Sequence, residues 1–112
     1  MSQITTHILD TTKGKPAVGV TVTLLRQVGK SWQVVARGVT NHDGRITNLL
    51  PAEKKLELGT YKMKFSIKEY FDRDATSAFY PFVEIPFEVT SAEHYHVPLL
   101  LNPFGYATYR GS

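Results

Sequence analysis

The sequence contains no cysteine. This absence excludes disulfide bonds, thiolate metal ligands and thiol nucleophiles. The chain also has no apolar run near the ~18 residues that a membrane-spanning helix needs. The first ten residues, MSQITTHILD, lack the basic and apolar segments of a signal peptide. We therefore expect a protein of the cytoplasm that does not enter a membrane.

Several motifs of known chemistry are absent as well. The chain has no Walker, Rossmann, EF-hand or HExxH motif, and no serine in a nucleophile elbow. Its 13 Lys and Arg outnumber its 10 Asp and Glu, for a net charge of +3. These basic residues are scattered, whereas a nucleic-acid surface needs a dense basic stripe with aromatic residues. We expect no nucleic-acid partner, and the mild positive charge favours a small anionic ligand.

What the chain does contain is typical of one globular domain. Its 112 residues are 42% hydrophobic and 21% charged, which excludes a disordered chain. A chain of this size buries enough surface to form a core without disulfides or metals. We predict a single domain over residues 1–112.

Alternation of apolar and polar residues is the main pattern. It is unbroken over residues 61–68 and recurs over residues 83–90, as in strands with one buried face. Pro86 cannot donate a hydrogen bond within a sheet, so its strand is expected at an edge or with a bulge. A helical spacing occurs only over residues 67–76. Seven or eight short strands with turns such as NHDG at residues 41–44 predict an all-β antiparallel β-sandwich. The predicted core contains Val20, Val22, Leu24, Trp32, Val34, Met63, Phe65, Ile85, Phe87, Val97 and Leu99.

Two histidines lie on predicted strands where a core does not need them. The alternation in YHVPL directs His96 outward, and His7 lies on the first strand. Arg45 directly follows a predicted hairpin turn. A lone strand histidine is usually a surface residue, and His94 and His96 with His7 could also suit zinc, although no carboxylate accompanies them at a ligand spacing. The residues alone indicate a β-sandwich with a candidate His/Arg site for a small anion.

Three segments together resemble one enzyme family. They are THILDTTKGKPA at residues 6–17, TNHDGRITNLL at residues 40–50 and EHYHVPLLLNPFGYATYRGS at residues 93–112. The most specific element is the terminal YRGS. These segments resemble the 5-hydroxyisourate hydrolases, the transthyretin-related enzymes of urate breakdown; transthyretin, a hormone carrier of the same fold, lacks YRGS.

The resemblance implies a transthyretin-like sandwich of two four-stranded sheets with one short helix. It also implies a homotetramer, a dimer of dimers, with catalytic pockets in the channel between dimers. The implied reaction is hydrolytic ring opening of 5-hydroxyisourate, a purine-derived small molecule, without a metal or organic cofactor. The family's catalytic set corresponds to His7, Arg45, His96 and Ser112. The residues expected to bind substrate are these four together with Tyr109 and Arg110.

The chemistry suits these residue types. An imidazole with a pKa near 6.5 can accept or donate a proton near neutrality, so His7 and His96 are expected to share the roles of base and acid. Arg45 can hold anionic oxygens, and Ser112 brings a hydroxyl and an α-carboxylate. The alternatives to a catalytic role are that Arg45 is a surface charge at the end of the hairpin and that Ser112 belongs to a frayed chain end. His42 and His94 are interpreted as bystanders.

Two other function classes remain as alternatives. One is a non-catalytic carrier of a small ligand in the same intersubunit channel, as transthyretin is. The other is an adhesion-type sandwich without a ligand, which predicts a monomer that is indifferent to loss of Ser112. The His/Arg/His set together with YRGS favours the hydrolase.

Overall fold

The structure, a computed structural model, describes residues 2–112. Within this part of the chain, nine strands and one helix follow one another. They are β1 (Ile4–Asp10), β2 (Lys15–Pro16), β3 (Thr21–Val28), β4 (Ser31–Val39), β5 (Arg45–Ile46), β6 (Gly59–Ser66), α1 (Ile67–Asp72), β7 (Val83–Val89), β8 (Tyr95–Asn102) and β9 (Gly105–Thr108). Across residues 2–112, no helix has the length and apolar character needed to pass through a bilayer.

The strands form two sheets. One has the order β2-β1-β8-β9, with the short β5 also paired to β1, and the other has the order β4-β3-β6-β7. The predicted all-β sandwich with one short helix is confirmed. In detail, two strands of two residues bring the first sheet to five, and β1 runs parallel to β8. A parallel pair is allowed here because β1 and β8 are not joined by a hairpin; the chain between them builds the other sheet.

The core lies between the sheets and follows the alternation. Ile4, Ile8 and Leu99 are fully buried on the inner side of the first sheet. Leu24 and Phe65 face them from the second sheet and are also fully buried. Removal of these apolar side chains from water is the main stabilising contribution to such a domain. The opposite, outer side of the first sheet is where the polar candidates lie.

The predicted core is wrong at one strand. Val34 is 56% exposed and Trp32 is only partly buried. The β3–β4 register shifts between Leu24 and Leu25, which pair with Ala36 and Val34. The extra residue in β4 reverses its alternation, so the partly buried residues packed on the core are Val35 and Ala36 instead.

The helix is shorter than predicted. It buries Ile67, Tyr70 and Phe71 as the spacing indicated, but it ends at Asp72. The chain then turns through Ala75, whose φ of 51° is left-handed and incompatible with continuation of an α-helix. β7 forms an edge of its sheet, as its proline predicts.

Candidate active site

The pairing of β1 with two neighbours brings the predicted residues together. In the parallel register with β8, Thr5 lies opposite His96. In the antiparallel register with β5, His7 lies opposite Arg45. Thr5 and His7 are two residues apart, so their side chains share the outer face of the sheet. Three distant parts of the sequence therefore contribute to one surface.

The turn before β5 positions Arg45. The side-chain oxygen of Asn41 accepts hydrogen bonds from the backbone N–H of Asp43 at 2.9 Å and of Arg45 at 3.1 Å. Gly44 has a φ of 71°, and a Cβ there would lie 2.5 Å from the carbonyl oxygen of Ile8. Glycine is therefore needed for both its conformation and its close approach to β1. The NHDG turn sets where Arg45 enters the sheet.

The end of the chain closes one side of the site. The backbone N–H of Gly111 donates to the carbonyl oxygen of His96 at 2.9 Å. A Cβ on Gly111 would lie 2.4 Å from Cδ2 of His96, so a larger residue fits only if the imidazole or the chain end moves. Ser112 then lines a cavity of about 170 Å³ together with Arg45 and His96. Thr5, Thr6, Thr47 and His94 complete its wall.

One hydroxyl links two of the histidines. Oγ1 of Thr5 lies 2.8 Å from Nε2 of His94 and 2.8 Å from Nδ1 of His96. The two imidazole rings are stacked, with centroids 6.3 Å apart. His94, interpreted from sequence as a bystander, thus shares a hydrogen-bond partner with His96. The His-x-His spacing at the start of β8 was the available signal, since residues two apart in extended chain point to the same side.

The electrostatics keep both site histidines neutral. Burial lowers the pKa of His7, and the Arg45 charge lowers it further, against a smaller raising effect from Asp43. Burial likewise lowers the pKa of His96, followed by the charges of Arg45, His94 and His7. Both pKa values therefore lie below 6.5, and at neutral pH both rings can accept a proton.

Tyr109 and Arg110 lie on a different side of His96. They line a second cavity, of about 340 Å³, against Phe87 and Tyr95. The Arg110 guanidinium lies 4.8 Å from the centre of the Tyr95 ring and forms an ion pair with Glu93. His96 borders both cavities. The structure thus groups His96 with Arg45 and Ser112, next to His7, and separates Tyr109 and Arg110 from that group.

Comparison with known proteins identifies the family. The model of the HIUase/Transthyretin family matches residues 4–111. The chain belongs to the HIUase/transthyretin family. The 5-hydroxyisourate hydrolase of Halalkalibacterium halodurans is 45% identical over 116 residues, covering 98% of each chain. The solved 5-hydroxyisourate hydrolase of Klebsiella pneumoniae superposes with a TM-score of 0.85 at 38% identity, covering 97% of this chain and 92% of that one.

The fold is shared with another member of the family. Transthyretin from Sparus aurata superposes with a TM-score of 0.91 at 30% identity, covering 99% of this chain and 97% of that one. The predicted resemblance and the predicted sandwich are both confirmed. Because a 5-hydroxyisourate hydrolase and a transthyretin share this fold, the function of this HIUase/transthyretin chain must be argued from its site.

The site is not arranged as a metal centre. Over residues 2–112, no group of three or more His, Asp or Glu side chains is placed to hold a metal ion. His94 and His96, which have a ligand spacing, direct one nitrogen each at the Thr5 hydroxyl.

His42 is 86% exposed in the turn and pairs with Asp43. Thr5, Thr6 and Thr47 line the cavity but were not predicted as site residues; for Thr5, the two-residue distance from His7 was the available signal.

Proposed function

We propose that this chain is a 5-hydroxyisourate hydrolase. It adds water to 5-hydroxyisourate and opens the six-membered ring to give 2-oxo-4-hydroxy-4-carboxy-5-ureidoimidazoline. The observation that carries the proposal is the joint placement of His96, Arg45 and Ser112 on one cavity beside His7. Curated relatives that are 41–45% identical over almost the whole chain are named for this hydrolysis.

Each step of the reaction has a suitable group. Attack of water on the ring carbonyl needs a base, and both neutral imidazoles can supply one. The oxyanion that forms needs a fixed positive donor, which the Arg45 guanidinium provides. When the C–N bond breaks, the leaving nitrogen takes a proton from an imidazolium. The water oxygen enters the new carboxyl group, one water proton goes to the leaving nitrogen, and the other is released when the carboxylic acid ionises.

The carrier is the second candidate. The TM-score of 0.91 with transthyretin from Sparus aurata supports it at the level of the fold. A carrier, however, gains nothing from two imidazoles whose pKa values are lowered beside an arginine. Lowered histidine pKa values next to a fixed cation favour proton transfer near neutral pH, so the site favours the hydrolase.

We also propose that the chain acts as a homotetramer. Large aromatic side chains are exposed in the single chain, among them Phe79 at 71%, Phe104 at 70% and Tyr109 at 60%. Exposed apolar residues of this size are typical of subunit interfaces. Light scattering after size exclusion should give about four times 12.6 kDa. A mass of one chain would instead support the adhesion-type monomer.

The decisive experiment follows substrate decay by absorbance. 5-Hydroxyisourate is generated in the cuvette from urate and urate oxidase, and its decay is recorded with and without the protein. We expect strong acceleration that is reduced about 10²- to 10⁴-fold in His96→Ala, the usual contribution of general base catalysis. His42→Ala is the matched control because His42 lies exposed in a loop. No acceleration by the folded protein would turn the interpretation to the carrier.

A further inference from the structure

The Thr5 hydroxyl has two imidazole nitrogens as partners and only one proton. Thr5 is 5% exposed, and its Oγ1 lies 2.8 Å from both Nε2 of His94 and Nδ1 of His96. A hydroxyl donates one hydrogen bond and accepts others. Among residues 2–112, Oγ1 has no hydrogen-bond partner besides these two nitrogens, so one imidazole receives the Thr5 proton and the other donates its own N–H to Oγ1.

This sharing couples the protonation sites of the two rings. In one arrangement Thr5 donates to Nδ1 of His96, so that neutral His96 carries its proton on Nε2. In the other, Nδ1–H of His96 donates to Thr5, and Thr5 donates to Nε2 of His94. Only the second arrangement leaves Nε2 of His96 with a free lone pair. Because Thr5 occupies Nδ1 in both cases, Nε2 is the nitrogen available to a ligand in the cavity.

The surrounding charges favour the second arrangement. Arg45 from β5 has only donors, and its charge acts on His96. A lone pair on Nε2 interacts better with this guanidinium than an N–H does. His7 from β1 and His94 before β8 also lower the pKa of His96. Ser112 lines the same cavity.

We propose that Thr5 is a positioning residue that accepts the Nδ1–H of His96 and donates to Nε2 of His94, which leaves Nε2 of His96 as the base of the site. The proposal deepens the hydrolase function. The arrangement of protons does not depend on that function, but the role of Nε2 as the base does. The hydrogen bond made by one imidazole nitrogen fixes the form of the other. Histidine free in water prefers its proton on Nε2, so the active form must be imposed by neighbours.

Side-chain ¹⁵N spectra of histidine-labelled protein test the proton position directly. At a pH of about 8, where neutral rings dominate, wild-type His96 should show a protonated Nδ1 and an unprotonated Nε2. Thr5→Val keeps the branched shape but removes the hydroxyl, so His96 should shift toward a protonated Nε2. Thr5→Ser should restore the wild-type signature. Thr23→Val, which removes another buried hydroxyl from a strand of the other sheet, should leave His96 unchanged.

A second variant keeps the test valid if Thr5→Val does not fold. His94 is exposed, so His94→Phe should fold normally while it removes the acceptor of the Thr5 proton. Thr5 then donates to Nδ1 of His96, and the spectrum should shift in the same direction as in Thr5→Val. An unprotonated Nδ1 in wild-type His96, or spectra unaltered in His94→Phe, would overturn the proposal.

Kinetics add a readout that a purely structural role would not give. Thr5→Val and His94→Phe should lower kcat about 10- to 100-fold with little change in KM. This loss is smaller than that expected on removal of the base, because part of the population keeps the active proton arrangement. Thr5→Ser and Thr23→Val should keep the wild-type kcat. If the spectra behave as expected and wild-type protein fails to hydrolyse 5-hydroxyisourate, the proposed function is wrong while the proton arrangement stands.

Discussion

A single methyl group at Gly111 is expected to separate activity from stability. A Cβ at this position would lie 2.4 Å from Cδ2 and 3.1 Å from Cγ of His96. Carbon atoms pack at about 3.5–4.0 Å, so the imidazole or the chain end must move by about 1 Å. A misplacement of this size in a catalytic site lowers the rate by about 10²-fold. We expect Gly111→Ala to reduce kcat/KM for 5-hydroxyisourate by that factor.

The fold should tolerate the same change. Gly111 lies outside the core, where substitutions usually change the free energy of unfolding by less than about 0.5 kcal/mol. For a domain of this size that corresponds to a shift in Tm below about 4 °C. Gly105→Ala is the matched control, because its Cβ would meet no atom closer than 3.6 Å. Wild-type kcat/KM in Gly111→Ala, or an equal loss in Gly105→Ala, would refute the reasoning.

Three further predictions concern the groups around this contact. Because the pKa values of His7 and His96 are lowered from 6.5, the rate should be constant above about pH 6.5 and fall at lower pH as the rings take up protons; a flat acidic profile would exclude both as bases. Arg45→Lys keeps the charge but loses the planar fork, so kcat should fall roughly 100-fold; wild-type kinetics would show that charge alone suffices. Removal of residues 109–112 should abolish turnover while circular dichroism stays that of the intact sandwich, and an active truncated chain would remove these residues from the site.

Much of the fold is predictable from local pattern. The alternation over residues 61–68 and 83–90 identifies β6 and β7 with their buried faces. The exposure of Val34 is not predictable in this way, because the shift between Leu24 and Leu25 depends on the pairing of β3 with β4. A strand's own sequence does not contain its partner's register.

The same distinction applies to the site. The outward direction of His96 follows from alternation, and the position of Arg45 follows from the NHDG turn. The contact of Thr5 with His96 joins residues 91 positions apart through a parallel pair, which no local pattern reveals. The placement of Arg110 over Tyr95, on a different cavity from Arg45 and Ser112, is likewise not visible in the sequence, and its contact with substrate stays a prediction.

The alternation along β1 also has an evolutionary consequence. Ile4 and Ile8 face the core, while Thr5 and His7 face outward from the same strand. Residues that stabilise the domain and residues that act on a ligand can therefore be exchanged independently, at every second position. Transthyretin from Sparus aurata retains this backbone at 30% identity. A scaffold divided in this way can lose or acquire a chemistry through a few outward substitutions while its interior, and hence its folding, stays the same.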